Sequence, residues 1–285
     1  MKKIIWLLPF FTLVACNKDN DAETDNAEGR VVFITGIEAQ TRSPQLDDTG
    51  AGNFQKGDLL TLTVSENGEL RRRHAYSVDE TVLYWRDFGI SGKTASFAGC
   101  YPARDADGET SFEFRATNIP AEDLLLARAV TVEKGATKVS LPFRHALHKL
   151  VVKYVADDAY APGALSGILT TLRAHTICTV DLAKGAIAEN SATTPADYRA
   201  KNGECVSWLV VPQNKDGVKL TVTLDGQSRD FTLPETTTDG KPLTMLNGGK
   251  TLSVTLRVSK NGITLEGTTI GKWEEQGSID GEIEI

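Results

Sequence analysis

About sixteen short runs rich in Val, Ile, Thr and Phe follow one another along this chain, and nearly every one is bounded by turn residues. Such residues fit a pleated, half-buried surface. Within Lys219-Leu220-Thr221-Val222-Thr223-Leu224 the apolar residues alternate, which puts Leu220, Val222 and Leu224 on one face of a strand. Between runs stand Asn67-Gly68, Asp107-Gly108, Asp216-Gly217, Asp225-Gly226, Asp239-Gly240 and Asn261-Gly262, residues that accept the positive φ of tight turns. No long stretch repeats at 3.6 residues. The expected fold is all-β, and so many strands exceed one small sandwich, so two sandwiches are expected. The polar stretch Glu133-Lys134-Gly135-Ala136-Thr137 is the expected seam. The reading is a first domain over residues 30–136 and a second over 137–285.

The N-terminus has a different character. Met1-Lys2-Lys3 leads into a twelve-residue greasy stretch, 4–15, ending Leu13-Val14-Ala15-Cys16. A membrane span needs about 20 apolar residues, so a secretory signal over residues 1–15 fits better. Leu13-Val14-Ala15-Cys16 resembles the lipobox of bacterial lipoproteins. In those signals cleavage between Ala15 and Cys16 leaves a lipid on the cysteine thiol, which would attach this chain to the outer membrane. An ordinary secretory signal without lipid is the alternative. Cys16-Asn17-Lys18-Asp19-Asn20-Asp21 resembles the acidic surface-export tag of Bacteroidota-type lipoproteins. Residues 16–29 also read simply as a solvated acidic tether.

The chain has 285 residues and a formal net charge of −7, so an acidic surface argues against nucleic acid as a partner. Arg71-Arg72-Arg73-His74 is the one basic cluster, and it reads as a solvated loop or strand edge. Cys100, Cys178 and Cys205 are an odd set, which leaves at least one thiol unpaired. Cys178 and Cys205 fall in strand-like runs, where a free cysteine packs as a small hydrophobe.

Chemistry is sparse. His145 and His148 have the spacing of a helical metal pair, but they lie in extended chain, where i and i+3 point to opposite faces. No glutamate stands between them as a His-Glu-x-x-His zinc motif requires. There is no Gly-x-Ser-x-Gly elbow, phosphate loop or Rossmann glycine pattern. Trp85, Trp208 and Trp273 read as core or sheet-edge residues rather than a sugar-stacking set. No catalytic, cofactor or metal site is expected, and the chain reads as a non-enzyme.

Several pieces then recur in a telling order. They are residues 31–37 with Thr41-Arg42, Phe54-Gln55-Lys56-Gly57-Asp58-Leu59-Leu60, Tyr101-Pro102, residues 123–127, Leu141-Pro142-Phe143-Arg144-His145-Ala146-Leu147-His148-Lys149-Leu150, and Ile270-Gly271-Lys272-Trp273. As an ordered set they resemble the fimbrillin family of Bacteroidota-type bacteria, which comprises fimbria subunits and fimbrillin-like lipoproteins. The resemblance implies two tandem transthyretin-like β-sandwiches and a structural or adhesive role at the cell surface. Implied partners are copies of the chain or related subunits, with host or bacterial surface ligands beyond them. It also implies assembly by β-strand exchange after an arginine-specific protease removes an N-terminal strand.

On that implication, residues 31–37 are the displaced strand, with Val31, Phe33 and Ile37 on one face. Burying three such side chains is worth roughly 5–9 kcal/mol gross. Arg42 follows the strand, where a cut would release it; Arg30 precedes it, where a cut would free only the tether. Arg42 is otherwise an ordinary loop residue. The donor is the tail 279–285, with Ile279, Ile283 and Ile285 on one face and Asp280, Glu282 and Glu284 on the other. The same tail also reads as the last strand of its own domain. A surface glycan-binding lipoprotein shares the signal and the sandwiches, and would carry clustered aromatics on a shallow face.

Overall fold

The computed structural model describes residues 29–37, 53–104, 110–116, 123–156, 163, 165–238, 240–259 and 262–269. Cys16, Arg42, Trp273, Ile279, Ile283 and Ile285 lie outside them. The first part of the chain carries β1 (Arg30–Ile37), β2 (Leu59–Glu66), β3 (Glu69–Ser77), β4 (Leu83–Tyr84), β5 (Thr94–Tyr101), β6 (Ser111–Arg115), β7 (Leu125–Glu133) and β8 (Lys138–His145). The second carries β9 (His148–Ala156), β10 (Leu169–Asp181), β11 (Ala186–Ile187), β12 (Thr193–Asp197), β13 (Lys201–Asn202), β14 (Cys205–Val210) and β15 (Gln213–Asn214). It continues with β16 (Lys219–Leu224), β17 (Gln227–Thr232), β18 (Met245–Leu246), β19 (Thr251–Ser259) and β20 (Gly262–Thr269). Among the described residues there is no α-helix, only two short 3-10 turns. The chain is an all-β assembly of sandwiches.

Turn chemistry does its expected work at two hairpins. Asn67 and Gly68 take φ of 54° and 83° between β2 and β3, and Asp225 and Gly226 take 51° and 78° between β16 and β17. Both residues at positive φ match the twist of the flanking strands. Asp216-Gly217 instead lies in a 3-10 turn, Lys215–Gly217, where the Asn214 side chain accepts from the Asp216 N–H.

The first sandwich is one sheet folded on itself. Its strand order is β3-β2-β5-β7-β8-β1-β4. Leu60, Leu62 and Val64 of β2, Phe97 of β5, Val139, Leu141 and Phe143 of β8 and Phe33 of β1 share one core. Phe33 and Tyr76 of β3 lie far apart in that order, yet their rings are 5.5 Å apart. A flat sheet could not bring them together, so this one curls around its apolar face. The second sandwich stacks β14-β9-β19-β20 against β11-β10-β16-β17, with β6, β12 and β13 also paired to β10. Leu150, Leu172, Cys178, Trp208, Leu220, Val222 and Leu252 fill the space between.

The expected seam is corrected. Residues 133–137 form the turn of the β7–β8 hairpin, and both strands belong to the first sheet. The changeover falls after β8, because Phe143 sits in the first core and Leu147 in the second. A polar Gly-containing stretch serves a hairpin as well as a linker, and only the pairing of the next strand tells them apart. The division is not a clean cut in sequence either. β6 pairs with residues 177–181 of β10 and puts Phe114 into the second core. β10 stays one continuous strand from Leu169 to Asp181, since β12 pairs with it from Arg173 to Ile177 and carries the ladder through Ala174-His175. Cys178 is buried as expected, whereas Cys205 is exposed, because Val206, Trp208 and Val210 take the inward positions of β14. The Arg71–His74 cluster lies on the edge strand β3, where Arg71 pairs with Glu66 at 3.1 Å and His74 meets Phe88 edge-on. Charges on an edge strand discourage pairing with other chains.

At the junction, His145 closes β8 and His148 opens β9. His145 Nδ1 bonds Asp123 Oδ2, and His148 Nδ1 donates to the Asn247 carbonyl at 2.9 Å. The two imidazoles have separate partners. Burial pulls the His148 pKa down to about 4 from 6.5. The folded state therefore binds fewer protons than the unfolded chain below about pH 6.5, and stability falls as pH drops through that window. The expected loss is about 2 kcal/mol between pH 7 and pH 5, before exposed carboxylates titrate. Urea unfolding across that range checks it, and a His148→Gln variant should lose that part of the slope.

Candidate assembly groove

β1 follows directly from its alternation. Val31, Phe33 and Ile37 are buried, whereas Val32 and Ile34 are 44% and 53% exposed. The inward face therefore carries the packing. The Phe33 ring meets Tyr76, Phe88 and Phe97 edge-on at 5.5, 6.3 and 5.4 Å. Each such pair adds about 0.5–1.5 kcal/mol to simple burial.

Backbone pairing holds β1 on one long side. It runs parallel to β8 from Val32↔Lys138 to Ile37↔Phe143 and meets β4 only at Arg30↔Tyr84 and Val31↔Leu83. The Val32 N–H donates to the Thr137 carbonyl at 2.9 Å. In a parallel ladder this makes Val139, Leu141 and Phe143 the β8 donors to β1. Pro142, which has no N–H, then turns its nitrogen toward β7, where pairing ends at Ala127↔Phe143. The edge that β8 offers to β1 is thus unbroken by its proline.

Both ends of the strand are anchored by aromatic residues. Trp85 donates its backbone N–H to Gly29 O at 3.0 Å and its indole N–H to Ala136 O at 2.9 Å, so it spans the start of β1 and the β7–β8 turn. At the other end Phe143, the register partner of Ile37, packs over Gly99, where a Cβ would come within 2.4 Å of the ring. Phe54 meets Phe143 edge-on at 4.9 Å. The chain therefore leaves β1 at Ile37 and is found again beside the same ring. Arg42 belongs to the intervening residues 38–52, outside the described ones.

Sequence reasoning named Val31, Phe33 and Ile37 but not their receptors. Tyr76 and Phe88 were missed because β3 reads as a charged edge and Trp85–Phe88 is a 3-10 turn with no strand signature. Trp85 and Trp208 are buried, as expected of core residues. Among the described residues no group of three or more His, Cys, Asp or Glu side chains is placed to hold a metal ion.

Solved structures share this fold. A candidate cell adhesion protein from Bacteroides uniformis superposes with a TM-score of 0.63 at 19% identity, covering 86% of this chain and 100% of its own. A fimbrial assembly protein from Parabacteroides distasonis gives 0.52 at 10% identity, covering 89% and 98%. A candidate polysaccharide-binding protein from Bacteroides thetaiotaomicron gives 0.50 at 11%, covering 90% and 97%. At these identities the likeness is one of fold. No curated protein sequence matches the chain. The fimbrillin-like family model matches residues 44–273, most of the chain and nearly all of both sandwiches, so the protein belongs to the fimbrillin-like family.

Proposed function

We propose that this protein is a structural or adhesive subunit of a cell-surface fimbria. It is exported as a lipoprotein through Cys16 and joined to copies of itself or related subunits by β-strand exchange. The observation that carries the reading is the seating of β1. It is the first described strand, it buries Val31, Phe33 and Ile37, and from Val32 to Ile37 its backbone pairs with β8, with β4 meeting it only at Arg30 and Val31. A single cut within residues 38–52, at Arg42, leaves it held only by non-covalent contacts. Its departure exposes the β8 edge and a slot lined by Phe88 and Phe97, which an incoming strand can fill with backbone bonds and alternate side chains. Ile279, Ile283 and Ile285 of another subunit supply such an alternation.

Digestion of the mature protein with an arginine-specific protease tests this. The expected products are ladders on a gel, a new N-terminus at Ser43, and no ladders after deletion of residues 279–285. A cut protein that stays monomeric sinks the polymerising role. The glycan-binding alternative calls for clustered exposed aromatics, and among the described residues every Phe, Tyr and Trp side chain is buried or half-buried.

A further inference from the structure

A cleft of about 700 Å³ opens between the two sandwiches. Leu126, Arg128 and Arg144 line it from β7 and β8, Glu189 from beyond β11, and Met245 and Lys250 from the approach to β19. Leu126 and Arg144 are register partners on the face turned away from the first core, and Arg128 follows where β7 parts from β8. Three cationic side chains against one carboxylate make this lining basic, in a chain of formal net charge −7.

The end of β20 is aimed at this cleft. β20 runs antiparallel to β19 and its last residue, Thr269, pairs with Ser253, so the chain leaves heading toward Thr251 and Lys250. Three residues separate Ser253 from Lys250, roughly 10 Å along a strand. Residues 270–285 follow, and they reach up to about 50 Å when extended. They carry Glu274, Glu275, Asp280, Glu282 and Glu284 against Lys272. Reach, direction and charge therefore agree.

We propose that the cleft binds the acidic tail of its own chain, residues 270–285. Arg128, Arg144 and Lys250 receive the carboxylates, and Met245 meets the isoleucines that alternate with them. A tail held there is withheld from neighbouring subunits, so the cleft governs when a donor strand is released. That consequence rests on the strand-exchange reading; the binding itself does not.

Zero-length carbodiimide coupling of the full mature chain, followed by peptide mass spectrometry, tests the binding. The expected result is a cross-link from Lys250 to a tail carboxylate in the monomer. It should fall about five-fold or more in high salt and in an Arg128→Glu/Arg144→Glu variant, because these contacts are partly exposed and screened. A monomer with no such cross-link overturns the proposal, and so does a cross-link confined to dimers, which assigns the cleft to a second copy's tail. The wild-type measurement needs no variant to fold. A monomer cross-link in uncut protein that forms no fibres after arginine cleavage keeps the cleft and sinks strand exchange; fibres without the cross-link do the reverse.

Discussion

Phe33→Ala is expected to destabilise the folded chain by about 3–5 kcal/mol, the range for removing a buried phenylalanine. The upper part of that range applies because the cavity has little means of collapsing. Tyr76 and Phe97, which contact the ring, sit on β3 and β5, both paired with β2, and Phe88 sits on a 3-10 turn with its ring packed edge-on against Trp85 and Phe97. Val32→Ala and Ile34→Ala, on the exposed face of the same strand, should each stay within about 0.5 kcal/mol. Urea midpoints of the three variants read the contrast directly. A Phe33→Ala loss no larger than that of Val32→Ala would mean that β1 is not seated as described. The same substitution also bears on strand release. In protein cut at Arg42, a 3–5 kcal/mol weaker seat corresponds to roughly a hundred- to several-thousand-fold weaker hold on β1.

How much of this was legible depends on whether a signal is local. β1 could be read because alternation at Val31, Phe33 and Ile37 is a property of consecutive residues. The β2–β3 and β16–β17 turns could be read because positive φ has its own residue chemistry. The unit boundary could not, because residues 133–137 look alike as hairpin or linker, and the deciding fact is that β8 pairs with β1 some hundred residues upstream. β6 falls inside the expected first domain, 30–136, yet it completes the edge of β10; its composition says strand and nothing about which sheet. The basic cleft was invisible for the same reason, since Arg128, Arg144 and Lys250 meet only through the fold.

The joint between the sandwiches depends on one glycine. Gly185 lies in the turn between β10 and β11 at φ +59°, and a Cβ there would come within 1.9 Å of the Ala127 carbonyl oxygen and 3.2 Å of Ala98 Cβ. Around it the turn is fastened to the first sheet, with the Thr63 hydroxyl donating to Leu182 O at 2.7 Å and the Ala129 N–H to Lys184 O at 3.0 Å. Gly185→Ala meets backbone rather than a yielding side chain, so the whole turn must shift. It combines a left-handed backbone penalty of about 1–2 kcal/mol with weakening of two hydrogen bonds, each worth about 0.5–1.5 kcal/mol. The expected total is about 2–5 kcal/mol. Gly135→Ala is the matched control, since Gly135 also has positive φ, +98°, but open space where a Cβ would stand. It should show the backbone penalty alone, about 1–2 kcal/mol. Thermal or urea unfolding of both variants separates the contributions. Equal losses would mean that the turn does not press against the first sheet, and that the sandwiches are joined less closely than Thr63, Ala129 and Gly185 indicate.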